Sequence, residues 1–191
     1  MKRSTDVRVV RTQIALLESL EELLKTKKLS CITITELCSL AKINRNTFYY
    51  HYNNIFELLD EHKMIMIDDI TSILEENKKL DRDSLIKLCK SIRRHPHFLN
   101  IIISPNCDLD FFNEIFKFAT QITSISAEKT KKDLTPRDQL LCAYNNAGAN
   151  EILRVWIMNG MKESPEEVAD VIWEVSKRGV FTMLFPGERF N

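Results

Sequence analysis

Residues 32–61 read ITITELCSLAKINRNTFYYHYNNIFELLDE, and their reading decides the fold. Thr33 followed by Glu36 is a capping box, so a helix is expected to open at Ile34. Ile34, Leu37, Cys38 and Ala41 then share one face at helical spacing. Asn44 is a second N-cap candidate. The segment it opens carries Arg45, Asn46, Thr47, Tyr49, Tyr50 and His51, all side chains that hydrogen-bond nucleic acid. Asn54 is a third cap, and Ile55, Leu58 and Leu59 begin another apolar stripe. A capped helix, a tight turn and a polar-aromatic second helix make the helix-turn-helix layout, whose second helix enters the major groove.

Successive helix residues point about 100° apart, so the aromatics of this segment cannot share one face. Phe48 and Tyr52, four apart, suit a core, which leaves Arg45, Asn46, Tyr49 and Tyr50 facing outward. The competing arrangement buries Tyr49 and Tyr52 and makes His51 an ordinary surface residue. Two tyrosines exposed beside Arg and Asn are costly without a partner, which favours nucleic acid.

Outward from this stretch, the chain of 191 residues has 44% apolar and 28% charged residues, the composition of a soluble globular protein of one or two domains. Four Gly and five Pro disfavour a turn-rich β protein. Lys plus Arg equals Asp plus Glu, 27 each, so any basic patch must be local. No apolar run is long enough to span a membrane, and the start, MKRSTDVRVVRTQ, has no signal-peptide core, so a cytoplasmic location is expected. Five cysteines, Cys31, Cys38, Cys89, Cys107 and Cys142, form no CxxC pair and read as reduced, buried small hydrophobes.

The N-terminus carries Lys2, Arg3, Arg8 and Arg11, either a solvated end or an arm on DNA phosphates. A helix over 5–27 is expected to bury Val10, Ile14, Leu17, Leu20 and Leu24, with Lys25, Lys27 and Lys28 suiting its C-terminal dipole. A long helix over 54–79 would bury Leu58, Leu59, Met64 or His62, Met66, Ile70 and Ile73. Asp83 or Ser84 is expected to cap the next helix, and Pro96 to end it or start another. A Phe-rich stretch with Phe111, Phe112, Phe116 and Phe118 precedes a polar loop, and two Pro-initiated helices, 136–160 and 165–184, close the chain. Gly148 in mid-helix costs about 1 kcal/mol relative to Ala, so a close helix approach is expected there. No phosphate loop, GxSxG or HExxH is present, and no enzyme, cofactor or metal site is expected; His95 and His97 flank Pro96 and read as surface or cap residues.

The order Thr33-Ile34, Glu36-Leu37, Ala41, Ile43-Asn44, Thr47-Phe48-Tyr49 and His51-Tyr52 resembles the DNA-binding segment of the TetR/AcrR family of regulators. AGANEILRVWIMNGMKESPEEVA, residues 147–169, is similar to one subgroup of that family. Three departures stand out: Lys42 and Asn46 where glycines are usual, and Ile55 in place of a phosphate-binding lysine. The resemblance implies an all-α protein with a three-helix DNA-binding domain over 1–53 and a helical domain for dimerisation and ligand binding over 54–191. It implies that Thr47, Tyr49 and His51 meet phosphates and that Arg45, Asn46 and Tyr50 lie closest to base edges of double-stranded operator DNA. With Thr33 and Asn44 these are the candidate DNA-binding residues. Gly148, Ile152, Val155, Val168, Ile172 and Val175 would form a homodimer interface between the last two helices and their symmetry mates. Phe98, Phe112, Phe116, Tyr144 and Trp156 are the candidate pocket for a small-molecule effector. The expected function is a homodimeric transcriptional regulator with no membrane partner. The alternative is the same fold acting as a co-activator under the control of a partner protein.

Overall fold

A computed structural model describes residues 7–76, 81–107, 110–111, 114–115 and 134–181. The described residues are helical and contain no strand. The helices are α1 (Val7–Leu24), a 3-10 turn (Leu29–Cys31), α2 (Ile34–Ala41), α3 (Arg45–His51), α4 (Ile55–Glu76), α5 (Arg82–Ile92), α6 (Pro96–Ile102), α7 (Pro136–Met158) and α8 (Pro165–Ser176), the last continued by a π-helical segment, Lys177–Phe181. The chain divides into two compact units: residues 1–65 with 95–112, and residues 66–94 with 113–191. The boundary expected after residue 53 differs from this division, which groups the start of α4 and α6 with α1, α2 and α3.

In the first unit α1 packs on α2 and α6. Leu16, Leu20 and Leu24, one turn apart, are buried, and each contributes about 2 kcal/mol of hydrophobic stabilisation. Val10 and Ile14, expected in that stripe, are 42% and 44% exposed, because the first half of α1 has no buried residue. Lys25 pairs with Glu22 and Lys27 with Glu36, so these lysines have partners beyond the helix dipole. Glu36 is thereby held at about 2, first by Lys27 and then by the Thr33 N–H in the capping box. Pro96 opens α6 at its first turn. Glu21 ties α6 to α1: its carboxylate lies 2.7 Å from His97 Nδ1 and accepts from Asn100 Nδ2 at 2.8 Å. The following turn is fastened too, since Leu29 N–H donates to the Asn106 carbonyl at 2.9 Å and Asn106 Nδ2 to the Leu24 carbonyl at 2.8 Å.

α4 begins after Asn54, whose side chain accepts from Glu57 N–H at 2.9 Å. Leu58, Leu59, Met66 and Ile70 are buried as expected. Of the two alternatives at the next position, His62 is buried and Met64 is 58% exposed. Tyr52, which ends α3, donates to Glu61 Oε2 at 2.5 Å, and Gln13 Nε2 reaches both the Tyr52 oxygen and Glu61 Oε2 at 2.9 Å. This polar triad joins α1, α3 and α4.

In the second unit α5 packs on α8, and α8 on α7. The cap of α5 is Asp81, which accepts from Ser84 N–H at 2.8 Å, rather than Asp83 or Ser84. Arg82 grips Asp170 with two bonds of 2.5 and 3.0 Å, and Lys90 pairs with Glu166; solvent screens exposed pairs of this kind, so they add little to stability. Capping boxes at Thr135 with Asp138 and Ser164 with Glu167 start α7 and α8, each followed by proline at the first helical position. Gly160, at φ 77°, and Met161, at φ 51°, turn the chain between them. Three cysteines are buried, Cys38, Cys89 and Cys142, whereas Cys31 is exposed and Cys107 half-exposed, against the expectation for these two.

Two outcomes follow from the buried polar groups of the first unit. His62 Nδ1 lies 2.9 Å from the Leu58 carbonyl, its ring packs 6.0 Å from Phe98, and burial pushes its pKa down. The unfolded chain therefore takes up this proton first, near pH 6.5, and stability is lost as pH falls below that value, by at most about 1.4 kcal/mol per pH unit. Urea unfolding between pH 7.5 and 5.5 should show a shallower loss in His62→Gln than in the parent. Separately, Tyr52→Phe keeps the buried ring but strips Glu61 and Gln13 of a partner, and should cost about 1–3 kcal/mol in the same assay at pH 7.5. A Phe variant as stable as the parent would mean that the triad adds nothing to the fold.

Candidate nucleic-acid interface

The interface candidate is built by two short helices and the turn between them. α2 starts on a complete capping box: Thr33 Oγ1 accepts from Glu36 N–H at 3.2 Å, and the Glu36 carboxylate accepts from Thr33 N–H at 3.1 Å. α2 buries Leu37 and Cys38. Its end is a reversal at Lys42, which stands in the left-handed region at φ 55°, ψ 37°. Ile43 N–H then donates to the Cys38 carbonyl at 3.0 Å and Lys42 N–H to Ser39 at 3.3 Å, the paired bonds of a Schellman motif.

α3 follows with Asn44 as its N-cap, the side-chain oxygen accepting from Asn46 N–H at 2.8 Å. The helix has seven residues and is about 10 Å long. Phe48 is 0% and Tyr52 6% exposed, with ring centroids 5.6 Å apart. These two anchors fix the rotation of α3. Arg45, Asn46 and Thr47 are exposed; Tyr49 is 48% and Tyr50 84% exposed. The outward side chains fall into rows four apart: Arg45 with Tyr49, Asn46 with Tyr50, Thr47 with His51. Tyr50 stands edge-on to His51 at 4.9 Å and Tyr49 edge-on to Phe48 at 5.8 Å, which limits the rotation of both phenols. The surface is thus a short rigid helix presenting a guanidinium, a carboxamide, hydroxyls and an imidazole, the donor and acceptor types that read base edges and phosphates. Thr33 and Asn44 are exposed as well, with their oxygens already engaged in capping. Ile55 is buried and offers no polar group.

Sequence reasoning did not find Gln13 and Glu61, which hold α3 through Tyr52. The partners lie 39 and 9 residues from Tyr52, beyond any local pattern.

The other candidates lie in different places. On α7, Tyr144 is 74% exposed, Val155 44% exposed, and Gly148 meets nothing within 4 Å where a Cβ would stand, so no close helix approach occurs at Gly148 among the described residues. Val175 on α8 is 57% exposed, and a shallow groove runs past Tyr144, Gly148, Ile152 and Val175. Val168 and Ile172 are only 5% and 4% exposed, and Ile172 lines the floor of the same groove. The described pocket candidates are divided between the two units. Phe98 is sealed in the first unit against His62, Trp156 is sealed in the second with Nε1 donating to the Glu163 carbonyl at 3.0 Å, and Tyr144 points outward. Phe112, Phe116 and the basic residues Lys2 and Arg3 lie outside the described residues.

Comparison with known proteins agrees with this architecture. Residues 82–178 match the TetR_C_8 family, described as a transcriptional regulator C-terminal region. The chain is 23% identical over 188 residues to the HTH-type transcriptional regulator YxbF of Bacillus subtilis strain 168, covering 90% of this chain and 47% of that protein. The chain therefore spans about half the length of that relative. Among solved structures, the fold is similar to that of the dihydroxyacetone kinase operon activator DhaS, with a TM-score of 0.57, 21% identity and coverage of 89% of this chain and 96% of that one. It is also similar to the fatty acid degradation regulator FadR from Bacillus halodurans, with a TM-score of 0.61, 15% identity and coverage of 95% and 100%. With its helix-turn-helix and a family match over half its length, the chain belongs to the TetR family of transcriptional regulators.

Proposed function

We propose that this regulator works as a homodimer that reads double-stranded operator DNA with α3, and that residues 1–53 carry the reading role and 54–191 the assembly and effector roles. The observation that carries the reading is the outward face of α3, where Arg45, Asn46, Tyr49 and Tyr50 are exposed while Phe48 and Tyr52 are buried. Arg45, Asn46 and Tyr50 take base edges; Thr47, Tyr49 and His51 take phosphates. Among the described residues no helix is long and apolar enough to cross a membrane, and no group of His, Cys, Asp and Glu could hold a metal ion. The chain acts by binding, without an enzymatic step. The exposed apolar residues of α7 and α8, Tyr144, Val155 and Val175, support a second copy as the cover for this face. A small-molecule effector acting on residues 54–191 is part of the proposal through the family alone, since Phe98 and Trp156 are already enclosed by protein.

Selection of genomic duplexes should yield a palindromic site whose half-sites lie about 34–36 Å apart or a multiple of that. On this site Arg45→Ala and Tyr50→Ala should relax sequence preference, costing about 1–3 kcal/mol at the contacted base. Tyr49→Phe and His51→Ala should weaken specific and mixed-sequence duplexes alike. If all four variants behave alike, the division of the face into base and phosphate contacts is wrong. A protein that binds no duplex and instead captures a regulator protein would favour co-activation.

The assembly is tested separately by sedimentation at micromolar concentration. Val155→Glu combined with Val175→Glu should turn the dimer into a monomer, while thermal unfolding of the exposed-site single variants in a monomeric background shifts stability by no more than about 0.5 kcal/mol. A parent that sediments as a monomer overturns the homodimer.

A further inference from the structure

The turn that joins α2 to α3 holds a residue the fold does not want there. Lys42 has φ 55° and ψ 37°, in the left-handed region, at the position of a Schellman motif where glycine is the residue without a steric cost. A lysine has a Cβ that crowds the following carbonyl in this conformation. It also lacks the short polar side chain with which Asn or Asp eases the same strain. The position is exposed, so packing of the side chain does not explain the choice. Non-glycine residues held in this region persist where something other than local stability retains them, and such positions cluster at functional sites.

The charge distribution says what that something is. From Leu29 to Asn54 the chain carries two strong cations, Lys42 and Arg45, and one anion, Glu36. Glu36 is occupied by Lys27 and by its own capping box. Neither Lys42 nor Arg45 makes an ion pair among the described residues. Ile55 at the start of the next helix is buried and apolar. In a helix-turn-helix the first helix crosses the sugar-phosphate backbone and the N-terminal end of the second meets the bases. Lys42 is the hinge between those two helices, three residues before Arg45, and so stands where the backbone passes the rim of the groove. A lysine there is a flexible point charge suited to a phosphate rather than to the planar edge of a base.

We infer that Lys42 is a phosphate-contacting residue of the DNA interface, retained in a left-handed turn against its conformational cost. The inference rests on the proposed reading of DNA by α3. It assigns to Lys42 affinity that is independent of sequence, while Arg45 discriminates.

The test measures duplex affinity against salt concentration for the full chain and for Lys42→Gly, Lys42→Asn, Lys42→Arg and Arg45→Ala, with urea unfolding of each. Removing one phosphate contact lowers the slope of log K against log salt by about 0.9 for each reading head. Lys42→Gly and Lys42→Asn should show that loss equally on operator and mixed-sequence DNA, Lys42→Arg should keep the parent slope, and the urea midpoint of Lys42→Gly should rise. Weaker binding by a more stable protein separates a lost contact from a damaged fold. A Lys42→Gly protein with the parent slope, alongside an Arg45→Ala protein that has lost operator preference, overturns the inference and leaves DNA reading by α3 intact. A fall in the urea midpoint of Lys42→Gly overturns the claim that lysine is held there at a cost. Failure of the parent to bind any duplex removes the DNA reading itself and the role of Lys42 with it.

Discussion

The outward face of α3 depends on the burial of Phe48, inside a helix of seven residues, and of Tyr52, its C-cap one turn on. So short a helix has little stability of its own, because nucleation uses most of its length. Two buried rings fix its rotation, with the Tyr52 hydroxyl bonded to α1 and α4, and in doing so choose which residues face out. Rotate α3 by 100° and Tyr49 would be inside while Phe48 met water. The hydroxyl of Tyr52 adds direction to this packing. Burial, and then the Glu61 carboxylate beside it, pushes the phenol pKa upward, so the ring stays protonated and donates to Glu61.

Much of this could be read from neighbouring residues. Thr33 with Glu36, and Asn44, are caps whose partners are three residues away or fewer, and each forms as expected, as do the helix starts at Pro136 and Pro165. Lys42 in the turn was legible as a departure because glycine is the ordinary solution to a left-handed residue. The faces of α3 followed from spacing alone. The helix-turn-helix and the all-helical fold were therefore local facts.

What escaped was set by distant partners. Val10 and Ile14 continue the stripe of α1 in sequence, but the buried residues of α1 begin only at Leu16. Asp81 outcompetes Asp83 and Ser84 as a cap because the helix starts one residue after it, a choice the apolar pattern does not resolve. Val168 and Ile172 share the stripe of α8 with Val175, yet α5 packs on that helix and the first two are buried while the third is not. An apolar residue announces that it will be covered, and only the fold says by what.

The strap formed by Leu29, Asn106 and Leu24 bears on time as well as on space. The first compact unit takes in residues 1–65, passes the chain to the other unit, and takes it back at 95–112. During synthesis α1, α2 and α3 emerge first, but Phe98, Leu99 and Ile102 of α6, which belong to the same apolar core, follow some forty residues after Leu59. Until Asn106 has left the ribosome the Leu24 carbonyl and Leu29 N–H lack the partners they have in the finished fold. The first unit is thus completed late, after all of α4 and α5 have been made. The order of the genetic message and the order of the native contacts run differently here, and a nascent chain carries an unfinished first unit for the first hundred or so codons.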